Sequence, residues 1–343
     1  MIKEVKIRYA WMDALRGAAI ILVIHLHVTE NISKFPDTPQ ILMDLTNLIA
    51  PLRMPILVFL SGLLVSNSIL KGKKEYFSGK IRNILYPFLI WTAIMYGLSY
   101  AKEVFLGDPM QATFLQALTV MPLYHLWFLE FLLIYYVIIY YLKDINPIVT
   151  LSGVILLYIV FYGYGDDRLL SLFFFFALGY FLGNNLSKVS KKIKEIKPIS
   201  IFILMLLAVI FSILNMKNLL INNNPYYLLS ALFFIPILIR FFILIENTKL
   251  SKLLEYFGVG SLVIYLVHLP VITVVFNILK LAYPNGTLLS YFILMVATVG
   301  MSIAILYLSR RFKVISVFFS LKELKTNRFT KKLKLRGQEG VGL

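Results

Sequence analysis

The sequence predicts an all-α membrane protein, a polytopic bundle of about ten transmembrane helices with both termini cytoplasmic. Three observations lead there. Mean hydropathy is +0.82, with 59% of residues hydrophobic and 15% charged, an apolar excess that a soluble core does not need. Apolar runs of roughly 17–25 residues recur along the chain, the length that crosses a bilayer. The cations behind the net charge of +17 stand in short blocks between these runs. That arrangement marks topology and contacts with anionic membrane lipids, not a nucleic-acid surface. The absence of cysteine excludes disulfides, a thiol nucleophile and thiolate metal sites, and no metal is expected.

The ten runs centre near residues 20, 60, 92, 134, 155, 177, 207, 235, 269 and 298. Basic blocks precede the first (Lys3, Lys6, Arg8) and follow the second (Lys71, Lys73, Lys74, Lys80, Arg82). Others follow the sixth (Lys188, Lys191, Lys192, Lys194, Lys197) and the eighth (Arg240, Lys249, Lys252). The alternate loops are poor in Lys and Arg, so the positive-inside rule puts both termini in the cytoplasm. Residues 1–310 form one membrane domain in this reading and 311–343 a basic cytoplasmic tail. The first run is expected to remain in the protein, because the next follows closely and no small-residue cleavage site succeeds it.

The first run, Trp11–Val28, carries Asp13, Arg16, His25 and His27. Ionisable groups inside a span are costly and mark function by default. At about 100° per residue, Arg16 and His27 differ by only ~20° and Asp13 lies within ~40° of His27, so the three share a face and His25 points elsewhere. Arg16 and His27 are then about 16 Å apart along the axis, the cation toward the cytoplasm and the titratable base toward the exterior. Arg16 has a second reading, as a side chain that snorkels to the interface.

The second run opens APLRMPILVFLSG, with Arg53 at its outer start. Pro51 and Pro55 free backbone carbonyls there, which a membrane tolerates only when protein or water satisfies them. Gly62, deeper in the run, lets helices approach closely. The third is entered through KKEYFSGKIRNILYPFLIW, placing Lys80 and Arg82 at the cytoplasmic surface. The fourth opens YHLWFLEFLLIYY, with His125 and Trp127 at its outer end and Glu130 inside it. The ninth carries His268 in SLVIYLVHLP. Arg53 and Trp127 read equally as interface anchors.

All four histidines thus fall in or at the ends of spans. An imidazole near neutral pH, a carboxylate that orients it (Asp13 or Glu130) and an arginine suit deprotonation of an alcohol and stabilisation of the oxyanion of acyl transfer. Lys80, Arg82 and Arg16 suit a polyphosphate. Intramembrane charge and proline-broken helices equally suit a transporter or flippase for a glycan or lipid intermediate, although no repeated half is present.

Arg16-x10-His27, MPILVFLSG, the basic segment ending IRNILYPFLIW, HLWFL and SLVIYLVH, in that order across residues 8–310, resemble the integral-membrane acyltransferase family 3. The resemblance implies O-acyl transfer, usually acetyl from acetyl-CoA, onto a cell-surface or lipid-linked glycan at a bacterial cell membrane. By position, Arg16 and His27 would be the essential pair, and Lys80 and Arg82, in the basic approach to the third span, would meet the CoA. The residues themselves add Asp13 or Glu130 as the carboxylate that orients the imidazole, and Arg53, His125, Trp127 and His268, toward the outer side, as the groups that meet the acceptor. The family's Arg-x-x-Arg is partly kept, with Gly79 three residues before Arg82 and Lys80 the nearest substitute. The acceptor, the acyl group transferred, and direct transfer against an acyl-enzyme relay stay open.

Overall fold

The computed structural model describes residues 9–107, 109, 113–119, 123–164, 167–217, 224–282 and 286–321. The tail beyond residue 321, Asp166 and the first cationic block lie outside the described residues. The described chain is 84% helical and holds no strand.

Helix α1 spans Ala10–Ile32 and α2 Gln40–Leu48. A 3-10 turn at Ala50–Leu52 leads into α3 (Met54–Leu63), followed by α4 (Val65–Ile69) and α5 (Lys73–Lys80). A π-helical turn at Ile81–Leu85 joins α5 to α6 (Tyr86–Leu106), then come α7 (Phe114–Thr119), α8 (Trp127–Tyr141) and α9 (Pro147–Phe161). They are followed by α10 (Asp167–Gly183), α11 (Leu186–Lys194), α12 (Pro198–Lys217) and α13 (Pro225–Leu244). The chain continues with α14 (Lys249–Val259), α15 (Ser261–Ala282), α16 (Leu288–Arg311) and α17 (Lys313–Ser316).

Every expected centre falls inside a helix, but the count of ten is not reproduced. Among the described residues six helices are long and apolar enough to cross a membrane. Two bent pairs raise the number to eight, Gln40–Leu48 with Ala50–Leu63 at 51° and Asp167–Gly183 with Leu186–Lys194 at 97°. The runs near 134 and 155 yield helices of 15 residues. Those are about 22 Å long against a hydrocarbon core of about 30 Å, because run length counts apolar residues and not the unbroken axis.

The chain divides into two compact units, one of residues 1–67 and 141–303, the other of 68–140 and 304–343. In the first, α1 packs on α14, α15, α13, α3 and α2, and α10 on α3 and α9. Two of these contacts are backbone against backbone. A side chain at Gly17 would run into the Leu254 carbonyl, and one at Gly258 into the Asp13 carbonyl. Gly62, Gly179 and Gly183 do the same for α3 and α10, facing the carbonyls of Phe176, Phe59 and Leu63. Small residues at such crossings let dispersion and packing hold helices that lipid would not drive together.

The break between α2 and α3 is satisfied from a neighbouring helix. The hydroxyl of Ser212 donates to the Leu48 carbonyl at 2.7 Å, and that of Ser230 to the Ala208 carbonyl at 2.9 Å, tying α2, α12 and α13 together. In the second unit the π-helical turn is held by Asn83, whose amide donates to the Gly79 carbonyl at 2.8 Å. The segment after α17 docks on the same turn. Trp91 Nε1 donates to the Phe318 carbonyl at 3.0 Å, Ser320 Oγ to Asn83 Oδ1 at 3.2 Å, and the Leu321 amide to the Arg82 carbonyl at 3.4 Å.

Candidate functional site

Helix α1 arranges the polar residues of the first unit. At its start, Glu246 accepts from the Trp11 amide at 3.3 Å, a carboxylate on the positive end of the helix. One turn on, Arg16 Nη1 donates to Asp13 Oδ1 at 3.2 Å, with both side chains largely buried. The expectation that Asp13 serves the imidazole is thereby corrected. Fourteen residues of helix put it about 21 Å from His27 along the axis, and its carboxylate goes to the nearer cation.

The acid on His27 is Glu30, whose Oε2 lies 2.7 Å from Nδ1. Residues three apart on a helix face each other, so this pair needs no tertiary contact. With Nδ1 donating to the carboxylate, Nε2 carries the lone pair of a neutral base. His27 is 21% exposed in its side chain and Glu30 51%, so the pair is open to an incoming group. The His268 ring lies 5.2 Å from that of His27, fully buried, its Nδ1 2.6 Å from the Tyr265 carbonyl. His25 faces away from this pair and bridges two helices, Nδ1 at 2.6 Å from the Tyr291 hydroxyl and Nε2 at 3.0 Å from Thr46 Oγ1.

Arg53 stands between the 3-10 turn and α3, with 9% of its surface exposed. Its Nη1 is buried and finds no acceptor among the described residues. The charge of Glu30 reaches it, as do Tyr227 and His25.

The second unit holds the remaining expected residues. Lys80 Nζ sits 3.5 Å above the Tyr136 ring and 5.0 Å from that of Tyr76, whose hydroxyl donates to the Tyr136 carbonyl at 2.8 Å. Arg82 lies in the π-helical turn, its Nε buried with no acceptor among the described residues. Such turns concentrate at functional positions because they push one side chain out of register. His125 is buried just before α8, Trp127 opens that helix against Phe131, and Glu130 lies in its first turn. Among the described residues no cluster of three or more His, Asp or Glu is placed to hold a metal ion.

Sequence reasoning missed Glu30, Glu246 and the serines of the α2 break. The His-x-x-Glu spacing at 27 and 30 was the available signal for the first.

Helices long and apolar enough to cross a membrane, the first of them carrying an imidazole–carboxylate pair, define the class as a membrane protein with a positioned base. The chain belongs to acyltransferase family 3, whose acyltransferase domain matches residues 9–307, and it is a membrane acyltransferase. No curated protein and no solved structure matches it.

Proposed function

We propose that the protein moves an acyl group, acetyl by preference, from cytoplasmic acyl-CoA to a hydroxyl of a cell-surface or lipid-linked glycan, with both termini in the cytoplasm of a bacterial cell. The observation that carries this reading is the 2.7 Å contact between His27 Nδ1 and Glu30 Oε2. A carboxylate fixed on one imidazole nitrogen makes the other a directed base.

In the reaction, His27 Nε2 takes the proton of the sugar hydroxyl as its oxygen attacks the thioester carbonyl. The oxyanion so formed collapses with loss of the CoA thiolate, which takes up the proton from His27. Lys80 and Arg82 hold the CoA phosphates, Arg through its planar fork and Lys as a point charge. Arg16, neutralised by Asp13, is a positioned cation on the cytoplasmic half of the same helix. His268 and Arg53, in the same unit as His27, meet the acceptor; His125, Trp127 and Glu130 belong to the second unit, with Lys80 and Arg82.

Membranes containing the protein, given labelled acetyl-CoA, test the assignment. Wild-type membranes should release CoA and label a glycan. His27→Ala should lower transfer by about 10²-fold or more at an unchanged protein level, the usual contribution of a positioned base. Near-wild-type labelling by that variant would remove His27 as the base.

A further inference from the structure

We infer that the break in the second span binds an anionic group of the acceptor, a phosphate or a carboxylate held by Arg53. The assignment rests on the acyl-transfer reading and narrows its substrate class. Pro51 and Pro55 flank Arg53, whose own backbone (φ −95°, ψ −91°) is the non-helical joint between the 3-10 turn and α3.

A buried guanidinium persists only where its charge and its donors are answered. Here Nη1 is buried with no acceptor among the described residues. The carboxylate whose field reaches Arg53 is Glu30, and Glu30 is already engaged by His27 at 2.7 Å. Both nitrogens of His25 are taken by Tyr291 and Thr46. The buried Nη1 donor is therefore left for an acceptor that the described side chains do not supply.

The backbone points the same way. Arg53 gives no side-chain cap to the ten-residue α3; Pro55 has no N–H and the Leu57 amide donates to the Arg53 carbonyl at 3.3 Å, which leaves at most the amides of Met54 and Ile56 in the first turn. Half-helix N-termini at breaks in spans are where membrane proteins hold anionic groups of substrates. Arg53 and His27 belong to the same compact unit, so an anion on Arg53 would belong to the acceptor side of the reaction proposed above. A sugar bearing phosphate or a uronic acid fits this arrangement, and a neutral sugar leaves the guanidinium unanswered.

The test uses the purified full-length protein in a neutral polyether detergent, with inorganic pyrophosphate, galacturonate or galactose as probe at matched ionic strength. Pyrophosphate or galacturonate in excess should raise the unfolding midpoint by roughly 2–4 °C, and galactose should not. A shift with pyrophosphate alone assigns a phosphate, and one with galacturonate alone a carboxylate. Arg53→Gln should abolish the shift and Arg53→Lys should weaken apparent affinity about tenfold, because a point charge replaces a planar fork. If Arg53→Gln fails to accumulate, the lysine variant decides the matter alone. No shift in the wild type, a full shift in Arg53→Gln, or an unchanged affinity in Arg53→Lys would overturn the site. Glycan labelling by the His27→Ala protein reads the base and the midpoint shift of the Arg53 variants reads the anion site, so the two assignments fail separately.

Discussion

Glu30 accepts from His27 while half of its own side chain stays in solvent, a geometry that fits a positioning carboxylate better than a buried structural acid. Its removal frees the ring to rotate and to take the wrong tautomer without touching either substrate. Glu30→Gln should therefore lower kcat on the order of tenfold and leave KM for acyl-CoA unchanged, with Glu30→Asp intermediate. Steady-state kinetics in membranes of equal protein content read the split. An unchanged kcat would show the contact to be incidental. Arg16 and His27 were legible in the sequence because each interrupts an apolar run, where a charge needs a reason. Glu30 was hidden by the same logic, since it falls just past that run, where charge is ordinary. Glu130 stood out for its apolar surroundings, but a linear sequence does not say which unit a helix joins, and it lies in the second. Lys80 was legible as a cation, while its seat over Tyr136 and Tyr76 needed the fold.

Among the helices, α1 and α14 meet with their backbones in contact, and the two glycines at that crossing are matched, one on each side. A methyl group at Gly17 or Gly258 has a carbonyl in its place and not a side chain that could swing away, so one helix must move. Moving α14 shifts the half of α1 that carries Asp13 and Arg16. Gly17→Ala is expected to destabilise by about 1–3 kcal/mol or more, the range of overpacked cores, and to lower the unfolding midpoint in detergent. Gly97→Ala in α6 is the control. Nothing lies within 4 Å of its new methyl, and a helical alanine in place of glycine should be neutral or stabilise by about 0.5–1 kcal/mol. Equal midpoints for the two variants would mean that the crossing has slack. Gly62 was readable as a close-approach residue from its place in a span, whereas Gly17 and Gly258 needed knowledge of which helices cross. Helix positions followed from apolar runs, but unbroken lengths did not: α8 and α9 hold 15 residues each, and α10 turns through 97° into the lysine-rich α11.

For the whole chain, the basic blocks constrain which helices cross. Lys71 to Lys80 share a side with the N-terminus only if the bent pair of α2 and α3 traverses the membrane. Lys188 to Lys197 join them only if α10 does, since a bend of 97° prevents α11 from continuing the span. The two 15-residue helices, α8 and α9, come in succession, so the side assigned to every later segment is the same whether both cross or neither does. A chain without native cysteine lets this be read one position at a time. Asp37→Cys, in the exposed segment after α1, should react with an impermeant maleimide in intact cells. Lys192→Cys and Lys249→Cys should react only after permeabilisation. Asp144→Cys, between the short helices and 82% exposed in its side chain, decides the remaining point. Reaction only after permeabilisation gives ten crossings with local thinning of the bilayer over α8 and α9, and reaction in intact cells gives eight. Reaction of Lys192→Cys in intact cells would invert the orientation and place the His27–Glu30 pair on the side of the acyl donor.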